Sequence, residues 1–194
     1  MLNHVGTEEL ETDRLLLRKF KLDDAEDMFN NWAKDPENVE FFNWSAHENI
    51  EETKRILSRW IEKYEIDAKR TYRWAIVWKK TSKVIGIIDV ILLLSHIDCV
   101  ELGYGVSKKY WRNGIATEVM KLIIKYFFVK VKVNRIQARY DVDNVASRRV
   151  MEKCNMKFEG ILRQSDKKNT GEWCDTSIHS ILKCEYFMSP LIDF

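Results

Sequence analysis

A segment rich in β-branched and aromatic residues, CVELGYGVS from Cys99, runs through the short basic turn KKYWRNG into IATEVMKLIIKYFF, a helix-patterned stretch ending at Phe128. Strand, tight turn and amphipathic helix in that order, followed by the strand-like NRIQARYDV, make a strand-helix-strand crossover, which constrains the fold more than any other feature. The turn also suits an anion. Backbone N–H groups in the first turn of a helix lack internal partners, and the macrodipole adds partial positive charge there, together stabilising an anion by roughly 0.3–2 kcal/mol. Gly114 and Ala116 keep side chains out of the way, while Lys108, Lys109 and Arg112 add full charge. Taken alone, Gly-x-Ala is equally an ordinary helix start beside a solvated basic turn.

Around this unit the pattern continues without a linker, repeat or low-complexity tract, and the two prolines leave the middle of the chain uninterrupted. RLLLRKF (14–20) reads as a strand, and LDDAED opens a helix that carries Met28, Phe29 and Trp32 and ends at Asp35-Pro36. A second helix is expected from about His47 to Tyr64. RTYRWAIVWK and KVIGIIDVILLL form a hairpin about Thr81 and Ser82, DNVASRRVMEKCN reads as a helix, and FEGILRQSD and EWCDTSIHSILKCE flank a polar turn as closing strands. The expected order is β-α-α-β-β-β-α-β-α-β-β. Hairpins plus one crossover predict an α+β fold, a three-layer sandwich whose mixed, twisted, mostly antiparallel sheet of about seven strands carries helices on both faces. A dinucleotide-binding doubly wound fold is disfavoured, because its glycine turn would follow the first strand.

Composition narrows the function classes. With 194 residues, 45% of them apolar, the chain is expected to be one domain over 1–194 with its core at about 12–185. Thirty-two basic against 30 acidic residues give a net charge of only +2, so general nucleic-acid affinity is not expected and an anion site must be local. Cys99, Cys154, Cys174 and Cys184 have no pairwise or histidine spacing that suggests a metal site or disulfide framework. The longest apolar run, VIGIIDVILLL, has 11 residues and contains Asp89, too short to span a bilayer. A cytoplasmic protein without membrane attachment is the expectation. The exposed sheet edge and the tail YFMSPLIDF could form a homodimer contact.

Four segments in order resemble the GNAT superfamily of acyl-CoA-dependent N-acetyltransferases, and its RimJ/RimL-like branch in particular: ETDRLLLRKF, VELGYGVSKKYWRNGIATEVM, DVDNVASRRVMEKCNMKFEG and EWCDTSIHSILKCE. The resemblance covers nearly the whole chain. It implies acetyl-CoA as co-substrate, with no metal, and direct transfer to an amine in a ternary complex. Backbone amides of Arg112, Asn113, Gly114, Ile115, Ala116 and Thr117 would bind the pyrophosphate, and the strand from Leu102 through Tyr104 to Val106 would receive the pantetheine arm. Asn144 would bond that arm, and Ser147 would lie near the leaving thiol. Two departures stand out. Trp111 occupies the place of the usual Gln or Arg, and Met151 that of the tyrosine many members use as general acid, so a tyrosine acid at that position is excluded.

Acetylating an amine requires a neutral nitrogen. Deprotonating a free lysine at pH 7 costs roughly 4–5 kcal/mol, against about 1 for an α-amine, which makes a protein N-terminus the easier acceptor. Glu101, on the strand before the turn, is the candidate general base, set against the plainer reading of an exposed strand carboxylate. Ser147 could instead bond back to its own helix, and Asn144 could be an N-cap. Tyr140 is a reserve acid, although strand tyrosines usually serve packing. Phe41, Phe42 and Trp44 fall in the loop that shapes the acceptor site in the family, and are candidates to line it. Acceptors other than a protein N-terminus remain open: a small-molecule amine such as a polyamine, an amino acid analogue or an antibiotic, or none at all in a non-catalytic acyl-CoA-binding module.

Overall fold

A computed structural model describes residues 2–188. Strands β1 (Leu10–Glu11), β2 (Leu15–Arg18), β3 (Arg73–Trp78), β4 (Lys83–Leu94), β5 (Cys99–Val106), β6 (Arg135–Asp141), β7 (Lys157–Lys167) and β8 (Trp173–Leu182) form one open sheet in the order β1-β2-β3-β4-β5-β6-β8-β7. Neighbours are antiparallel except β5 and β6, which run parallel across the crossover helix α3 (Ile115–Tyr126). The sheet has one strand more than the pattern predicts. β1 is two residues long, and a pair of residues carries no periodicity to read.

Strand β3 sets the layering. Its central residues are buried on both faces, Trp74 and Ile76 among one apolar cluster and Ala75 and Val77 among another, as alternation of side chains along a strand requires. Helix α3 covers the first face with Val119, Met120 and Ile123. The second is covered by α1 (Ala25–Met28), which continues as a π turn over Phe29–Ala33, and by α2 (Ile50–Ile66). Asp24 fixes the turn that leads into α1: its carboxylate accepts from the Lys21 N–H and from Arg18, each at 2.8 Å. Trp74 is fully buried, donates its indole N–H to the Glu8 carbonyl at 2.7 Å, and meets Tyr126 edge-on at 5.6 Å. Trp74→Ala is expected to cost about 3–5 kcal/mol, read as a fall in the urea midpoint; a change below about 1 kcal/mol would mean that the site collapses around the loss.

The final expected strand, EWCDTSIHSILKCE, ends early. The chain turns at Leu182 into α5 (Lys183–Met188), because the Glu185 carboxylate accepts the Leu182 N–H at 2.9 Å and caps a new helix. Strand β7 is a long, exposed sheet edge, while residues 189–194 of the tail that could join it in a dimer contact lie outside the described residues. No helix among the described residues is long and apolar enough to cross a membrane.

Candidate active site

Strands β5 and β6 pair only at Cys99–Arg135, Val100–Ile136 and Glu101–Gln137, and then part. β5 remains paired to β4 as far as Val106, with a bulge at Ile91 where the register shifts between Val90–Leu102 and Leu92–Glu101. Such a bulge bends and twists its strand, and here it lies where β5 leaves β6. From Leu102 onward the outer edge of β5 therefore faces a cavity of about 510 Å³, and α4 (Val145–Lys153) lies along the far wall.

Glu101 sits at the apex of the parting strands. It is 2% exposed, so the alternative of an exposed strand carboxylate does not hold. One carboxylate oxygen accepts from Gln137 Nε2 at 2.7 Å and the other from Arg139 Nε at 2.9 Å. Both partners come from β6 at alternate positions, and the polar row Arg135, Gln137, Arg139 along one face of that strand is the signal that could have found them. On the opposite wall, Tyr104 donates its hydroxyl to Ser147 Oγ at 3.1 Å, joining β5 to α4. Burial pushes the Tyr104 phenol up to about 12, so it stays protonated and remains a donor. Asn144 Oδ1 accepts the Ser147 N–H at 3.0 Å, the N-cap arrangement, and its amide nitrogen lies beside the cavity it lines. Met151 is buried below them and Tyr140 packs at 5.4 Å from His179.

The aromatic loop closes the other end. Phe42 lies directly on Gly105, where an added Cβ would come within 2.4 Å of its ring, so β5 needs glycine there. Phe42 stacks on Trp44 at 5.1 Å, and Trp44 packs on His47 at 4.9 Å. The His47 ring bonds Thr53 of α2 at 2.7 Å, which ties the loop to the helix layer. Phe41, Phe42 and Trp44 all line the cavity together with Glu101, Leu102, Tyr104, Asn144 and Ser147. Val106 does not: its carbonyl is taken by Asn38 Nδ2 at 3.1 Å and Trp111 Nε1 at 2.7 Å.

Past Val106 the chain reaches α3 through the basic turn. Among the described residues, the backbone N–H groups of Arg112 through Thr117 meet no acceptor. Arg112 and Gly114 adopt left-handed backbone conformations, φ 61° and 76°, which turn consecutive amides toward one side. Glu118 in the first turn of α3 would oppose an anion, and it is neutralised by an ion pair with Arg14 and by the Thr12 hydroxyl at 2.5 Å. Arg14 also donates to the Asn113 carbonyl at 3.2 Å, so β2 braces the turn. Sequence reasoning missed this brace, which joins residues about a hundred positions apart.

Comparison with known proteins fits this geometry. The profile of the acetyltransferase (GNAT) domain family matches residues 14–157. Among curated proteins, the uncharacterized N-acetyltransferase YoaA of Bacillus subtilis is 35% identical over 174 residues, covering 90% of this chain and 96% of that protein. Among solved structures, the ribosomal-protein-S5-alanine acetyltransferase of Vibrio fischeri superposes with a TM-score of 0.78 at 20% identity, covering 91% of this chain and 97% of that one. The microcin C7 self-immunity acetyltransferase MccE, solved with acetyl-CoA and AMP, gives 0.79 at 20% identity, covering 88% and 93%.

Proposed function

Because the chain belongs to the GNAT acetyltransferase family, we propose that it carries acetyl from acetyl-CoA to the α-amine of a protein N-terminus, as a member of the RimJ/RimL-like branch. The observation that carries this reading is the opened edge of β5 beside six unpartnered amides at the start of α3. Their chemistry fits the co-substrate: the amides, with the Lys108–Arg112 turn, suit a pyrophosphate, and the free strand edge from Leu102 suits the amide-bearing pantetheine arm. Asn144 supplies a further donor to that arm. Bound acetyl-CoA supplies the activated acyl group. Glu101 takes the proton from the amine, directly or through a water, and Ser147, backed by the Tyr104 hydroxyl, donates a hydrogen bond to the leaving sulfur. Protein N-terminal acetylation is supported by the likeness to the S5-alanine acetyltransferase and by the low cost of deprotonating an α-amine. The aromatic wall of Phe41, Phe42 and Trp44 favours a second reading, a small apolar amine enclosed by the cavity. We take the transferase domain to span the chain and the reaction to be cytoplasmic.

Thermal unfolding with acetyl-CoA, and with NAD and ATP as phosphate controls, tests this reading. A ligand at about 100 times its Kd adds roughly 2.7 kcal/mol, several degrees for a chain of this size. A shift with acetyl-CoA alone is expected, followed by turnover on peptides with free N-termini. No shift at saturation would sink the proposal.

A further inference from the structure

Asp89 is the one charged residue in VIGIIDVILLL, and it lies on the face of β4 that lines the cavity, opposite Gly103 of β5. Arg73 reaches it from β3 with Nε at 2.9 Å and Nη2 at 2.7 Å, but both contacts fall on Oδ2. Oδ1 has no donor among the described residues, is not sealed from solvent, and lies 3.5 Å from where a Cβ of Gly103 would stand, beside the Ile91 side chain that covers this glycine. Glu101 differs, since each of its oxygens already accepts a donor. The Arg73 guanidinium is in turn held over the Trp60 ring at 4.5 Å, so it is fixed against the wall and does not swing to cover Oδ1.

From this geometry we infer that Asp89 is the acceptor-specificity residue, its free Oδ1 receiving a protonated primary amine from the cavity beside Ile91 while Arg73 and Trp60 hold the carboxylate in place. The inference rests on the acetyl-transfer reading and narrows its acceptor to amines that arrive as ammonium ions on an apolar or aromatic body. Three features support the class. A carboxylate oxygen beside β5 selects a cation over a neutral isostere. Beside Lys63 and Ile91, the surrounding wall includes Trp60, Trp44 and Phe41, surfaces that suit an apolar body or the face of a cation. Burial raises the Asp89 pKa despite Arg73 and Lys63, and a second cation at Oδ1 would favour the ionised carboxylate. No bond is made or broken by Asp89 in this role. It positions the amine, and removal of the proton stays with Glu101.

The test uses the tryptophans of the cavity wall as reporters. The full chain is titrated with 2-phenylethylamine, protonated at pH 7, and with its neutral isostere 2-phenylethanol, following intrinsic fluorescence. The amine is expected to bind saturably and about tenfold or more tighter than the alcohol, and Asp89→Asn to bring the two within about twofold. Asp89→Glu should keep part of the preference. If Asp89→Asn does not fold, because Arg73 loses its partner, the double change Asp89→Asn with Arg73→Met removes both charges and carries the same comparison. Equal affinities in the unsubstituted protein, no saturable amine binding, or a preference that survives loss of the carboxylate would each overturn the inference. The acetyl-CoA thermal shift is measured on the same samples; its absence would instead remove the transferase reading on which the inference rests.

Discussion

Glu101→Gln is expected to lower kcat for acetyl transfer by about 10²–10⁴-fold while leaving the acetyl-CoA-dependent midpoint shift in place. The carboxylate is buried at the apex where β5 and β6 part, at the inner end of the edge that would carry the thioester. Glutamine keeps the length and can still accept from Arg139, so the wall of the cavity survives; what it cannot do is take a proton from the amine. Arg139 is about one-third exposed, which limits the cost of leaving it without an anion. The measurement is kcat at saturating acetyl-CoA and peptide, with the thermal shift as a control for binding. An unchanged kcat would move the base role elsewhere. A lost thermal shift would mean that Glu101 shapes the co-substrate site instead.

In the proposed reaction, Tyr104 and Ser147 would act together at the leaving-group end of the transfer. With Met151 buried on α4, the Tyr104–Ser147 hydroxyl pair joins β5 to α4 and places a donor at the cavity wall. Because burial keeps the Tyr104 phenol protonated, its proton is available to Ser147 across the whole neutral range. In that reaction the sulfur would leave as a thiolate, and a hydroxyl that is itself hydrogen-bonded would stabilise that charge more than an isolated one.

The sequence was most legible where a local rule and the tertiary structure agree. The crossover from β5 through α3 to β6 follows from one change of hydrophobic period, and the aromatic loop follows from its place between two helical patterns. Asn144 and Ser147 could be assigned to the start of α4 because a cap and its partner are neighbours in the chain. Long-range pairings were not legible. Arg14 bracing Asn113 and Glu118, and Arg73 occupying one oxygen of Asp89, depend on which strands become neighbours in the sheet, and no periodicity encodes that. The β1 strand and the α5 helix were missed for a related reason: each is so short that a single register contact or a single carboxylate cap decides it. Glu101 lies between these cases. Its strand and its neighbourhood could be read, whereas its burial required the polar pair on β6, which only the parallel pairing brings near.

Gly114→Val is expected to weaken acetyl-CoA binding by about 100-fold or more while the protein stays folded. An added Cβ would find room, since among the described residues beyond its chain neighbours it meets only Arg14 Nη2, at 4.0 Å, so the effect is conformational. Gly114 has φ 76°, a region that costs an L-residue roughly 1–2 kcal/mol and a β-branched one more. Valine would drive the turn to negative φ, rotating the peptide plane at the N-cap of α3 and rearranging the unpartnered amides from Arg112 to Thr117. The proposed pyrophosphate contacts would be charge-assisted hydrogen bonds, each worth about 1.5–3 kcal/mol, so losing one or two accounts for the expected drop. Calorimetric titration with acetyl-CoA and with CoA measures it, and circular dichroism checks the fold. Unchanged affinity in a folded Gly114→Val protein would show that the pyrophosphate does not sit on this turn, and would send the search for it to another part of the surface.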